Sequence, residues 1–171
     1  MTRLPTVPLS DLPPSLGNAI ERGLATRMLS STVPVQVWAH RPEVAEAWLA
    51  ALEAMHLRGL LPGRLKELVR LKIASITTCK ACQVARKDDS VSEDDIACLA
   101  HDDPRFSPVE QAALHYATLF AADYMAIDDG LFDKLKLHFS TPAIVELNMF
   151  CALMLAGGRM TYVQQAYGID R

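Results

Sequence analysis

The chain has 171 residues, half of them hydrophobic, with a formal charge of −3 and a pI near 5.9. A chain of this length can bury roughly two-thirds of its unfolded surface in one domain, and its slightly acidic balance supplies no field for holding a nucleic acid. Only 6% of residues are aromatic, and Leu, Ala and Met together far outnumber them, which suits helices packed on helices better than a sheet.

Proline punctuates the first forty residues, and one short helix is predicted over 15–25, after Pro13-Pro14. Pro42 reads as the first residue of the next helix. Val44, Trp48, Leu52 and Met55 form its stripe, and Arg58-Gly59 its end. Another helix begins near Pro62, buries Leu65, Leu68, Val69, Ile73 and Ile76, and breaks at Thr77-Thr78. A helical piece over 79–87 opens on Cys79-Lys80-Ala81-Cys82. Ser92-Glu93-Asp94-Asp95 introduces a short helix carrying Ile96, Cys98 and Leu99. Ser107-Pro108-Val109-Glu110 has the form of a capping box, so a helix is predicted over 108–125. A short helix over 130–138 follows. Thr141-Pro142 opens the last long one, predicted to stop at Gly157-Gly158 before a separate segment over 159–167. No stretch alternates as a half-buried strand does. The expectation is an all-α, single-domain bundle of six to eight helices, with 1–40 as a Pro-rich N-terminal segment and 41–171 as the helical domain.

The longest apolar run, 144–156, contains Glu146 and Asn148 and is too short to cross about 30 Å of hydrocarbon. The N-terminus lacks the apolar core of a signal peptide. A cytoplasmic protein with no membrane contact is therefore expected, in which Cys79, Cys82, Cys98 and Cys151 are reduced thiols, metal ligands or a catalytic pair rather than structural staples.

The C-x-x-C carries the chemistry. With Thr78 as N-cap, Cys79 falls in the first turn of a helix, where free backbone N–H groups favour a thiolate. Two cysteines three apart on a helix share a face and can close a disulfide. Arg86, four residues beyond Cys82, is expected on that face as a fixed positive charge. Lys80, Gln83 and Arg86 make the turn too polar for simple core packing, whereas Cys98 and Cys151 each stand in apolar company and read as buried, inert thiols. Glu67, twelve residues before Cys79, has two readings. It is a proton acceptor facing the dithiol if the chain folds back at Thr77-Thr78, or one rung of a surface ion-pair ladder with Arg64 and Arg70.

The segment from Glu67-Leu68-Val69-Arg70-Leu71-Lys72-Ile73-Ala74 to Cys79-Lys80-Ala81-Cys82 resembles the AhpD-like alkylhydroperoxidase branch of the carboxymuconolactone decarboxylase superfamily. The likeness extends loosely over 38–167, and its specific part is 67–86. It implies an all-helical fold, Cys82 as the cysteine that a small hydroperoxide oxidises, Cys79 as its resolving partner and Glu67 in a proton relay. It further implies a homo-oligomer, a trimer or hexamer, and electrons from a thioredoxin-like or lipoyl-type dithiol protein, with no bound cofactor and no metal. The family's relay His is replaced by Arg86, which cannot accept a proton near neutral pH; His101 or His115 stands as a substitute. Three rival readings remain, one of them a non-catalytic helical oligomer whose cysteines are incidental. Cys79-x2-Cys82-x15-Cys98-x2-His101 has the spacing of a structural zinc site in a binding module. A lactone decarboxylase on the same fold would lack the redox pair. An oligomer is expected to share the apolar helices around Trp48, Met55, Met149 and Phe150.

Overall fold

A computed structural model describes residues 2–167. Among these the chain is all-α, with nine α-helices, two short 3-10 turns at Leu9–Asp11 and Tyr124–Ala126, and no strand. The helices are α1 (Pro14–Ala25), α2 (Val33–Trp38), α3 (Pro42–Leu57), α4 (Gly63–Ile76), α5 (Lys80–Val84), α6 (Glu93–Ala97), α7 (Pro108–Ala122), α8 (Asp129–Lys136) and α9 (Thr141–Gln164). That is one helix more than expected. The extra is α2, six residues with Pro34 in the first turn, where proline's fixed φ starts a helix rather than ending one.

The described residues fall into two compact units, one comprising 2–58 with 159–167, the other Gly59–Gly158. The first unit includes α3, which packs on α1 and α2. In the first unit Leu16, Ala19, Ile20, Val35, Ala39, Ala45 and Leu49 form one core. Trp38 meets Trp48 edge-on and donates its indole N–H to Gln164. The stripe on α3 is shifted from the expected one: Ala45 and Leu49 are buried and Val44 is exposed.

In the second unit α4 is the central helix, packed along α7. Leu68 and Leu71 of α4 join Val91, Leu99, Phe106 and Leu114 in a second core. Capping boxes start both α6 (Ser92 with Asp95) and α7 (Ser107 with Glu110). Arg64 of α4 joins them, donating to Asp95 and, through Nε, to Glu110 at 2.7 Å. Both carboxyls are held below their ordinary values. Burial opposes that shift, and the bonds from Arg64 and from the two capping serines outweigh it.

The last helix departs most from expectation. It runs through Gly157-Gly158 for 24 residues, long and apolar enough to span a membrane by length and composition alone. Its polar residues are used inside the protein. Glu146 accepts the backbone N–H groups of Leu60 and Leu61, Asn148 donates to the Tyr116 hydroxyl, and Leu147, Phe150 and Cys151 are buried. Phe150 and Met55 are therefore core residues, not candidates for a shared surface, while Met149 is exposed.

Candidate active site

The geometry of the dithiol begins at the end of α4. Thr78 N–H donates to Ser75 C=O and Cys79 N–H to Ala74 C=O at 3.2 Å, the paired bonds that close a helix when the residue after its C-cap turns left-handed. Glycine usually holds that position; here it is Thr78, at φ 52°. Thr78 is therefore the terminator of α4, not the N-cap of the next helix. Cys79 is itself the N-cap of α5, with an extended backbone and no side-chain cap bond. Gln83 reaches back to the same Ala74 carbonyl at 3.0 Å, so one carbonyl of α4 holds both ends of the first α5 turn.

Within that turn Cys79 and Cys82 are joined as a disulfide, with Cα atoms 5.2 Å apart. Cys79 is buried, at 1% exposure, and Cys82 is half-buried. Of the pair, only Cys82 is placed to meet a solute.

Beneath them lies an ion pair. Arg70 donates Nε and one terminal nitrogen to the two Glu67 oxygens, each at 2.7 Å. Its guanidinium also donates to the Cys82 carbonyl at 2.6 Å and to the Ala85 carbonyl at 2.7 Å. Glu67 Oε1 accepts the Lys87 backbone N–H at 3.0 Å. Glu67 and Arg70 are both buried, at 1% and 6% exposure. The surface-ladder reading of Glu67 is thus overturned. Arg64 turns away to Asp95 and Glu110, and Arg70 pairs inward.

Arg86 also departs from expectation. The helix ends at Val84 and Ala85 is extended, so Arg86 does not share a helical face with Cys82. Its guanidinium binds both oxygens of Glu93 at 3.0 Å and the carbonyls of Gln83 and Ala85. Cys98 is exposed at the end of α6, contrary to its reading as a core thiol. Cys151 is buried, and burial pushes its thiol up to about 12. His101 stacks on His115 with ring centroids 4.4 Å apart, and burial first, then His101 and Lys134, hold His115 below its ordinary value. The zinc reading needs Cys79, Cys82, Cys98 and His101 in one cluster, and the structure does not gather them. Among the described residues no three His, Cys, Asp or Glu side chains gather as a metal site.

Comparison with known proteins agrees with this architecture. Residues 42–119 match the carboxymuconolactone decarboxylase family, a segment spanning α3 to α7 with the dithiol inside it. A crystal structure of an alkylhydroperoxidase AhpD core, an uncharacterised peroxidase-related protein from Ralstonia eutropha JMP134, superposes with a TM-score of 0.79 at 20% identity, over 99% of this chain and 93% of that one. The family match thus covers α3 to α7, and the superposition shows the fold of that AhpD core. The debrominase Bmp8, solved as a cysteine-to-alanine form with 2,3,4-tribromopyrrole, shares the fold at a TM-score of 0.78 and 17% identity, over 97% of this chain and 91% of that one. A protein of unknown function from Agrobacterium tumefaciens, described as a putative antioxidant defence protein AhpD, gives 0.67 at 21% identity, over 77% and 94%. No curated protein matches the sequence.

Arg70, read from the sequence only as a neighbour of Glu67, links that carboxylate to the Cys82 carbonyl. Four of the seven residues 65–71 are apolar (Leu65, Leu68, Val69 and Leu71), and a spacing of three suits a surface pair as well as a buried one.

Proposed function

We propose that this protein is a thiol-dependent oxidoreductase of the alkylhydroperoxidase kind, working in the cytoplasm through a reversible Cys79–Cys82 dithiol. The observation that carries the reading is the bonded sulfur pair, with one cysteine enclosed and the other reachable. In the reduced protein the Cys82 thiolate attacks the terminal oxygen of a small hydroperoxide. The O–O bond breaks, the departing alkoxide takes a proton and leaves as alcohol, and Cys82 becomes a sulfenic acid. The Cys79 sulfur then attacks the Cys82 sulfur and expels hydroxide, which leaves as water. Two electrons and two protons from a thioredoxin-like or lipoyl-type dithiol protein restore the thiols. Glu67, whose carboxylate already binds Arg70 and the Lys87 amide, is the counterion of the site. Arg86 serves the exit of the segment through Glu93.

The same reading takes the protein as a homo-oligomer, a trimer or hexamer. Val145, Met149, Ala152 and Ala156 line one exposed apolar side of α9, which supports it. Light scattering at micromolar concentration should exceed the 18.8 kDa monomer mass. Steady-state hydroperoxide consumption with a dithiol reductant tests the chemistry. Cys82→Ser should abolish it, and Cys79→Ser should leave one oxidation per chain without turnover. Unchanged turnover in Cys82→Ser would refute the assignment.

A further inference from the structure

The dithiol lies on a helix of only five residues, and α5 has little of its own to hold it in place. Its internal backbone bonds are few, and the last carbonyls of any helix lack partners within it. Here those of Cys82 and Ala85 are taken by a single guanidinium, that of Arg70. Beyond the helix, the Lys87 amide donates to the counterion of that guanidinium. Three backbone groups of the 82–87 segment therefore end on one ion pair. Both its members stand on α4 and both are buried. Burying such a pair is costly, and an apolar pair of the same size is often as stable. Its planar fork is what an apolar pair lacks, because the fork fixes two carbonyls and a carboxylate in one plane.

We propose that Arg70 is the positioning residue of the dithiol: it holds the Cys82 carbonyl in register with α4 so that, once the disulfide is reduced, the Cys82 sulfur stays opposite Cys79. The inference rests on the dithiol part of the proposed function and not on hydroperoxide as the oxidant. Thr78 and Ala74 anchor Cys79 from one side, and Arg70 anchors Cys82 from the other. Both anchors are on the same helix, so the separation of the two sulfurs is inherited from α4. With Glu67 balancing its charge, the contribution of Arg70 is geometric. Loosening it lowers the effective concentration of one thiol at the other.

The test is the equilibrium of the full-length protein with glutathione, in which the dithiol and oxidised glutathione exchange for the protein disulfide and two reduced glutathiones. Arg70→Lys keeps the charge and loses the fork, and the equilibrium constant should fall about tenfold toward the dithiol while the helical circular dichroism is retained. Glu67→Gln is the second arm. It leaves Arg70 uncompensated beneath Cys82, so the pH profile of Cys82 alkylation should move to lower pH. A proton-accepting Glu67 predicts the opposite displacement. An unchanged glutathione constant in folded Arg70→Lys overturns the proposal, as does an alkaline displacement in Glu67→Gln. Should Arg70→Lys not fold, the glutathione constant of Glu67→Gln, which takes the carboxylate from the fork, decides in its place: a fall toward the dithiol supports the proposal and an unchanged constant overturns it. The glutathione constant is blind to peroxide, so loss of hydroperoxide turnover in the wild type would count against the proposed oxidant without touching this inference.

Discussion

Thr78→Gly should stabilise the protein, although it removes a side chain beside the dithiol. Thr78 is held at φ 52° by the two bonds that close α4. An L-residue there costs roughly 1–2 kcal/mol, and a β-branched one sits at the upper end. Glycine carries no such penalty but gains about 0.4–1 kcal/mol of freedom in the unfolded chain, which offsets part of the benefit. The Thr78 side chain is exposed, so little packing is lost. The net gain is about 1 kcal/mol, which in a chain of this size raises the melting temperature by about 2–4 °C. Thr78→Ala keeps a Cβ and should show a smaller gain. Thermal unfolding followed by circular dichroism checks this, in both oxidised and reduced protein, because the turn precedes the sulfurs and does not depend on their bond. A glycine variant less stable than wild type in both states would mean that Thr78 is not left-handed, and the account of how Cys79 is placed would fall with it.

Three further predictions follow from the same geometry. Arg86→Ala should leave the pH profile of Cys82 alkylation unchanged, since that guanidinium is bound to Glu93 and to carbonyls; an alkaline displacement would restore the helical-face argument. His115, held below its ordinary 6.5 by burial and by His101 and Lys134, binds its proton more weakly folded than unfolded. Its contribution to stability is therefore complete above about pH 6.5 and is lost as pH falls through the lowered folded value. Denaturant titrations between pH 7 and 5 should show a shallower loss in His115→Gln than in wild type, and equal slopes would contradict it. Gly158→Ala should raise stability by about 0.5–1 kcal/mol, because a Cβ there meets Thr77 Oγ1 at an ordinary 3.7 Å and alanine favours a helix interior. A destabilised variant would mean that α9 does not run through this position as a regular helix.

Helix starts were legible because their signals are local: Pro42 and Pro62, and the Ser107–Glu110 box, mark α3, α4 and α7 within a residue or two. Helix ends were less so. A glycine pair costs about 2 kcal/mol in a helix, and α9 carries Gly157-Gly158 because Ile144, Leu147, Phe150 and Cys151 are buried along the same helix. The one-residue displacement of the dithiol has a similar cause. The position that terminates α4 holds Thr where glycine would have announced it. Periodicity placed Val44 inside because alanine was not counted as core, yet Ala45 faces it. Cys98 looked buried among Ile96 and Leu99, but α6 ends at Ala97, too short to give a stable face, and its C-cap Cys98 is exposed. The ion pair of Glu67 and Arg70 was beyond local reading. Spacing of three describes a surface ladder and a buried clamp equally well, and only the packing of α4 on every side separates them.

Redox mapping of the four thiols tests the central claim most directly. Reduced protein is treated briefly with one equivalent of hydroperoxide, blocked with one alkylating reagent under denaturing conditions, then reduced and labelled with a second before peptide mass spectrometry. The second label should appear on Cys79 and Cys82 and the first on Cys98 and Cys151, with Cys151 unreactive unless the protein is unfolded, as a buried thiol pushed up to about 12 requires. A bridge that includes Cys98, or first label on both Cys79 and Cys82, would contradict the assignment of the dithiol as the working part of this protein.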